Sequence, residues 1–204
     1  MELTFMENGR NLLVLIGERG PEAFLLPGLS ILSVQVEEAE WNDLLSPWPA
    51  EPVFPKAGGF GGQADRLIET IMPKIGECIK THPGWHGVMG YSLAGLFSLY
   101  LSSKTDCFDG CASVSGSLWY PGFTEYLRDH PLHAQSVYLS LGEREKETKN
   151  ARMKTVEAKT LLCRDLLSAY TETVFELNPG GHFQEPKARM KRALKKLTEM
   201  GTVS

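Results

Sequence analysis

Two repeating patterns of apolar residues run through the chain, one typical of strands and one typical of helices. Continuous apolar runs at residues 11–16 and 31–36 predict two buried strands, because a strand covered on both faces carries little polar surface. Further short apolar runs predict strands at 87–90, 110–115, 137–141 and 171–177. Apolar residues spaced three or four positions apart predict helices at 64–79, 93–102 and 148–169, and a basic one that begins at Pro186.

The alternation of strands with helices predicts the fold class. Parallel strands need long crossover connections, which helices supply, so this order predicts an α/β fold with a mostly parallel central sheet and helices on both faces. Such sheets bind ligands at the carboxyl ends of their strands. With 204 residues, we expect a single domain covering residues 1–204.

Two stretches depart from this regular alternation. Pro73 lies within the first helical pattern, and we expect it to kink or split that helix because proline removes a backbone hydrogen bond. Residues 41–62 carry four prolines and four glycines, which predicts a loop. A loop this long in a small domain is often functional.

Composition and charge exclude several classes of partner. The formal net charge is −4, which argues against a nucleic-acid or anionic-membrane partner, since both bind concentrated Lys and Arg. We find neither an export signal nor an apolar run of the roughly 18 residues needed to span a bilayer. The four cysteines form no C-x-x-C pair, so we expect reduced thiols and a cytoplasmic location.

The sequence Gly90-Tyr91-Ser92-Leu93-Ala94 carries the strongest chemical signal. It is a G-x-S-x-A version of the turn that joins a strand to a helix and exposes a nucleophilic serine. Small residues two positions before and after the serine let the strand and the helix approach closely. A serine that only caps a helix would look similar in isolation. Because a strand precedes it and a helical pattern follows, we predict that Ser92 is a nucleophile.

A serine nucleophile needs a general base, and His182 is the best candidate. In hydrolases built on such a sheet the order along the chain is serine, acid, histidine. His182 follows the last predicted strand and precedes the last helix, within a glycine-containing loop. His130 and His133 form an H-x-x-H pair in a polar loop, but without a third ligand this pair does not predict a metal site.

The acid that orients the histidine should follow the strand at 137–141. Glu145 is the first choice and Glu143 the second, and a Ser–His pair without an acid remains a third arrangement. For the oxyanion hole we expect the backbone N–H of Leu93 and one from the loop near Gly17, with the glycines at 58–62 as an alternative source.

Aromatic residues near these positions are candidates for lining the substrate pocket, although such side chains are equally common in protein cores. The candidates are Trp119, Tyr120 and Phe123 in the loop after the 110–115 strand, with Trp41 and Trp48 from the proline-rich loop.

Four motifs together resemble the enterochelin-esterase-like esterases of the α/β-hydrolase superfamily. They are GYSLAGLFSLY at 90–100, SGSLWY at 115–120, LGEREK at 141–146 and GGH at 180–182, and they span roughly residues 85–200. The resemblance implies an α/β-hydrolase fold with a minimal cap, an acid at Glu145, and hydrolysis of a small-molecule carboxylic ester without metal or cofactor.

Two other functions remain open. The same scaffold and the same three side chains also serve acyltransferases and thioesterases, which differ in the nucleophile or bond involved. A non-catalytic binding protein of this fold is the third hypothesis. The sequence predicts neither the substrate nor the oligomeric state.

Overall fold

The computed structural model describes residues 1–55 and 57–201. Within these residues nine strands form: β1 (Glu2–Met6), β2 (Asn11–Ile16), β3 (Leu29–Gln35), β4 (Pro49–Ala50), β5 (Phe60–Gly61), β6 (His86–Tyr91), β7 (Gly110–Val114), β8 (Ser136–Gly142) and β9 (Glu172–Asn178). The α-helices are α1 (Trp41–Leu44), α2 (Ala64–Thr81), α3 (Leu93–Lys104), α4 (Phe123–Asp129), α5 (Val156–Leu167) and α6 (Pro186–Gly201).

Seven of these strands form the central sheet, in the order β1-β3-β2-β6-β7-β8-β9. All neighbouring pairs are parallel except β1 with β3, which is antiparallel. The predicted mostly parallel sheet is therefore confirmed. Sequence analysis missed β1, because this edge strand is partly exposed and lacks a continuous apolar run.

The two faces of the sheet are covered unequally. Along β2, Leu12 and Val14 point to the face packed by α2, α3, α4 and α5, whereas Leu13 and Leu15 point to the opposite face. That second face is covered mainly by α6, through Met190, Ala193, Leu194 and Leu197. Helices on both faces are thus confirmed, and α6 lies almost alone on its side.

Of the two predicted effects of Pro73, a kink or a split, the split is wrong, because helix α2 runs through this residue without a break. Pro73 lies on the exposed face of α2, as does Glu69, whose carbonyl loses its helical partner. Water can hydrate that carbonyl, and the buried face holds the helix against the sheet through Leu67, Ile71 and Ile75.

The segment predicted as one loop, residues 41–62, is largely irregular but carries α1 and the short β4–β5 pair. Ser46 ties it together: its hydroxyl donates to the Asn42 carbonyl at 2.6 Å and accepts from the Gly62 N–H at 2.9 Å. Trp48 anchors it to the rest of the molecule by donating its indole N–H to the Pro121 carbonyl at 2.9 Å.

All four cysteines are unpaired thiols, and three of them are buried. Within residues 1–55 and 57–201, no helix combines the length and the apolar character that a membrane crossing requires.

Candidate active site

The turn between β6 and α3 holds Ser92 in a backbone conformation that non-glycine residues rarely adopt, with φ 59° and ψ −123°. Such strain is typical of a serine displayed at a sharp strand-to-helix turn. Gly90 permits the turn, because a Cβ built there would lie 2.4 Å from the Ala94 carbonyl oxygen. Of the two small residues predicted around Ser92, Gly90 is therefore required because a side chain at this position would clash with the backbone of α3.

The three residues predicted to act together do meet at the carboxyl edge of the sheet. His182 Nε2 lies 3.0 Å from Ser92 Oγ, and His182 Nδ1 lies 2.7 Å from Glu145 Oε2. Ser92 follows β6, Glu145 lies three residues after the end of β8, and His182 lies between β9 and α6. Because these strands are parallel, their carboxyl ends bring three distant segments of the chain together.

Glu145 rather than Glu143 contacts the histidine. The Glu145 side chain is only 4% exposed, and its carboxylate accepts from the Gly142 N–H at 2.6 Å. Burial alone would raise the pKa of the Glu145 carboxyl, but the hydrogen bond and charge of His182, with the Gly142 N–H, hold it below its ordinary 4.5. Glu143 instead accepts from the Gly180 N–H at 3.3 Å, in the loop that carries His182.

Sequence analysis missed Arg189, whose buried guanidinium lies behind Glu145 and contacts its carboxylate. Its side chain is 2% exposed, and Nη1 donates to Glu145 Oε1 and to Ser115 Oγ, both at 3.0 Å. Nη2 donates to the carbonyls of Pro179 and Gly181 at 2.8 and 2.9 Å. A signal existed in the sequence: Arg189 lies four and eight residues before Ala193 and Leu197, within the apolar stripe of α6.

Tyr91 also holds the histidine loop. Its hydroxyl donates to the backbone carbonyl of His182 at 2.5 Å. Burial raises the pKa of the Tyr91 phenol, so the hydroxyl stays protonated and can donate. The loop that carries the imidazole is therefore fixed from two sides, by Tyr91 and by Arg189.

The two predicted oxyanion donors differ in whether the fold already uses their backbone N–H groups. Leu93 is the first residue of α3, so its N–H has no partner within the helix and lies directly beside Ser92. The prediction for Gly17 is wrong, because its N–H donates to the Val34 carbonyl at 2.8 Å. Among the alternative glycines, the Gly62 N–H is likewise occupied by Ser46. A hydroxyl does lie nearby: Ser117 Oγ is 3.4 Å from Ser92 Oγ.

Of the five aromatic candidates for the substrate pocket, Trp119 alone lines the cavity beside Ser92. The prediction for Tyr120 is wrong, because this residue is 1% exposed and donates its hydroxyl to the Trp48 carbonyl in the core. Trp41 does not line the cavity beside Ser92: its ring packs against Gly17 and lines a different cavity, together with Asp43, so its role in substrate binding stays a prediction. Trp48 and Phe123 belong to the same aromatic cluster as Tyr120.

The H-x-x-H pair has a structural explanation. The His130 ring stacks on Tyr126, with centroids 4.2 Å apart, and His133 is exposed. In the part of the chain that the structure describes, no group of three or more His, Cys, Asp or Glu side chains could hold a metal ion.

Comparison with known proteins gives no sequence match but clear structural ones. No protein-family model matches the chain, and no curated protein sequence does. The siderophore hydrolase EstB from Aspergillus nidulans is similar in structure, with a TM-score of 0.70 and 15% identity over 97% of this chain and 89% of that one. The enterobactin esterase from Shigella flexneri gives 0.67 and 16% over 97% of this chain, which spans 55% of that enzyme.

A third similar structure is the acyl-protein thioesterase 2 from Zea mays, with a TM-score of 0.58, 14% identity, and coverage of 97% of this chain and 98% of that one. At such identities the similarity establishes the fold and not the activity. The sheet order, the Ser92 turn and these structural matches together show that the chain has the α/β-hydrolase fold.

Proposed function

We propose that this chain is a serine hydrolase that cleaves carboxylic esters, of the enterochelin-esterase-like kind that its motifs resemble. The observation that carries this proposal is the unbroken line of contacts from Ser92 Oγ to His182 Nε2 at 3.0 Å, and from His182 Nδ1 to Glu145 Oε2 at 2.7 Å. This arrangement activates a serine hydroxyl by placing a base within hydrogen-bond reach and an acid behind the base.

In the first step, Ser92 Oγ attacks the ester carbonyl carbon while His182 Nε2 takes the serine proton. Glu145 stabilises the imidazolium that forms and keeps the ring oriented. The tetrahedral intermediate then collapses: the bond to the alcohol oxygen breaks, and His182 gives its proton to that oxygen. The alcohol leaves, and the acyl group stays bonded to Ser92.

Water completes the cycle. His182 takes a proton from a water molecule as the water oxygen attacks the acyl carbon, and the bond to Ser92 Oγ breaks as the proton returns to Oγ. The carboxylic acid leaves and the enzyme is restored. These steps need neither a metal nor a cofactor.

Charge on the carbonyl oxygen in both steps needs hydrogen-bond donors beside Ser92. The N–H of Leu93 supplies one, helped by its position at the start of α3, where the partial positive charge of the helix lies. The hydroxyl of Ser117, 3.4 Å from Ser92 Oγ, is the second donor in this proposal.

Structural neighbours add support and suggest a second candidate. Proteins named siderophore hydrolase and enterobactin esterase share this fold with the chain over nearly its whole length. A protein named acyl-protein thioesterase shares it as well, over 98% of its own length. Thioester hydrolysis would use the same three side chains, and turnover of matched oxygen and sulfur esters distinguishes the two activities.

Labelling with a fluorophosphonate probe tests the proposal. The serine oxygen attacks phosphorus and displaces fluoride, which leaves a stable adduct on an activated serine. We expect the native chain and Ser168→Ala, which alters an exposed serine directly after the end of α5, to be labelled equally. Ser92→Ala should not be labelled. No labelling of the native chain would instead favour a binding protein of this fold.

We further propose a small-molecule ester as the substrate and the cytoplasm as the location. Four unpaired thiols fit a reducing compartment.

An acyltransferase, the other activity open to this scaffold, would transfer the Ser92-bound acyl group to an added alcohol instead of to water. Product analysis with and without that alcohol separates transfer from hydrolysis.

A further inference from the structure

The cavity in contact with Ser92 is small. It holds about 60 Å³ and is lined by Ser115, Gly116, Ser117, Trp119, Met153 and Val156, in addition to the three candidate catalytic residues. This volume is far smaller than the 530 Å³ of the groove next to it. Val156 is buried at the start of α5, and it is one of the residues that line the cavity.

On the other side of His182 lies a much larger groove, of about 530 Å³, which shares Met153 and the His182–Glu145 pair with the small cavity. Phe183 and Phe54 line this groove and are 88% and 52% exposed. Two large apolar side chains exposed in the lining of one groove, with polar residues among the rest of that lining, indicate a surface that a ligand covers.

The charges of the groove favour a neutral ligand. Arg144, which lines it, forms an ion pair with Glu147 at 2.9 Å, and both line the same groove. The carboxylate of Glu145 is similarly paired with Arg189 at 3.0 Å. Besides His182, the rest of the lining carries no charged side chain and consists of Phe54, Thr148, Met153, Gly181, Phe183 and Gln184.

The proposed mechanism assigns the two spaces to the two halves of an ester. The acyl carbon becomes bonded to Ser92 Oγ, so the acyl chain must begin in the small cavity. The alcohol oxygen must receive its proton from His182 Nε2, so the alcohol portion must lie against the imidazole, beside the groove. On the basis of the proposed esterase function, we infer that the substrate joins a short acyl group, of acetyl or propionyl size, to a bulky, uncharged aromatic alcohol.

The acyl half is tested with 4-nitrophenyl acetate, butyrate and hexanoate, which share one leaving group. We expect kcat/KM for the native enzyme to fall about tenfold or more from acetate to hexanoate, because extra methylenes do not fit a packed cavity. Val156→Ala removes two methyl groups from the cavity wall and should reduce this preference. Leu162→Ala, an exposed change on the same helix, should leave the ratio unaltered.

The alcohol half is tested with 2-naphthylmethyl acetate against methyl acetate, two esters of primary alcohols. We expect the native enzyme to prefer the naphthylmethyl ester. Phe183→Ala should raise KM for this ester about fivefold or more, through the loss of ring contact. The rise in KM for methyl acetate should be smaller, because a methyl group makes little contact with the ring, and Leu162→Ala serves again as the control that leaves both esters unchanged.

The outcomes separate this inference from the proposed function. If Ser92-dependent hydrolysis is found but hexanoate is cleaved as well as acetate, the short-acyl assignment is overturned while the esterase proposal stands. Equal kcat/KM for naphthylmethyl and methyl acetate overturns the alcohol assignment in the same way. Absence of Ser92-dependent hydrolysis of all these esters overturns both proposals. The native ester series decides the matter even if Val156→Ala does not fold.

Discussion

At the scale of single residues, the site is organised around the Glu145 carboxylate. One oxygen accepts from the Gly142 N–H and from Arg189, while the other faces His182 Nδ1. A carboxylate held at both oxygens cannot rotate away from the imidazole. It therefore fixes which ring nitrogen faces Ser92, which is the property a general base of this kind requires.

Arg189 acts in this account as a positioning residue, because it contacts Glu145 and the loop of His182 but does not line the cavity beside Ser92. Arg189→Met should lower kcat by about 10²-fold, the cost of slightly misplaced catalytic groups, with KM nearly unchanged. It should also cost about 3–5 kcal/mol of unfolding free energy, since Glu145 loses a buried partner. Steady-state kinetics and urea unfolding measure the two effects.

Two further variants sharpen this test. Arg189→Lys keeps the charge but not the planar fork that reaches several acceptors, so it should fall between Arg189→Met and the native enzyme. Lys195→Met removes a positive charge from the exposed side of α6 and should change neither quantity. If the Arg189→Met enzyme folds and keeps the native kcat, the claim that Arg189 is a positioning residue is contradicted.

The lowered pKa of Glu145 predicts how stability depends on pH. A carboxyl group whose pKa is lower in the folded chain stabilises the fold above its unfolded value of about 4.5, and this contribution disappears as pH falls through the folded value. The native protein should therefore exceed Glu145→Gln in unfolding free energy at pH 7, and the gap should shrink below pH 4. Urea unfolding at both pH values measures it. A gap independent of pH would contradict the assignment.

At the residue level, the sequence allowed prediction of which side chains come together where each position is set by the end of its strand. Ser92, Glu145 and His182 each follow the end of a parallel strand, so their convergence follows from topology. Gly17 and Tyr120 could not be judged in this way. Their roles depend on a cross-strand hydrogen bond to Val34 and on burial against Trp48, which arise only in the tertiary structure.

At the scale of elements, the contact between β6 and α3 decides whether Ser92 is displayed. Gly90→Ala should destabilise the protein by about 1–3 kcal/mol, because its Cβ would lie 2.4 Å from backbone oxygen that cannot move freely. It should also reduce turnover, since relief of the clash displaces Ser92. Urea unfolding and steady-state kinetics measure both.

Helix α2 offers a matched control for that change. A Cβ at Gly76, within this helix, meets no atom within 4 Å. Gly76→Ala should therefore raise the unfolding free energy by about 0.5–1 kcal/mol, because alanine loses less backbone entropy on folding. If both substitutions changed the unfolding free energy equally, the close contact between Gly90 and Ala94 would not be the reason that position 90 requires glycine.

Elements with continuous apolar runs were predictable, since burial on both faces leaves a direct mark on the sequence. The edge strand β1 and the unbroken path of α2 through Pro73 were not. In both cases tertiary packing overrides the local signal: β1 is held by pairing with β3, and α2 by its buried face against the sheet.

At the scale of the whole molecule, one helix links the fold to the site. Helix α6 covers most of one face of the sheet and also carries Arg189 to the carboxyl edge, where the three candidate catalytic residues meet. The opposite face is packed by four helices, of which α3 begins directly after Ser92 and α5 begins at the wall of the small cavity. The layers thus position both the reacting groups and the proposed specificity pocket.

The central claim is that Ser92 and His182 act as one catalytic unit. The most direct measurement is kcat on 4-nitrophenyl acetate for Ser92→Ala, His182→Ala and the double variant. We expect each single change to lower kcat on the order of 10³-fold or more, and the double variant to lose little beyond the worse single one. Near-native turnover by His182→Ala, or losses that multiply in the double variant, would contradict the account.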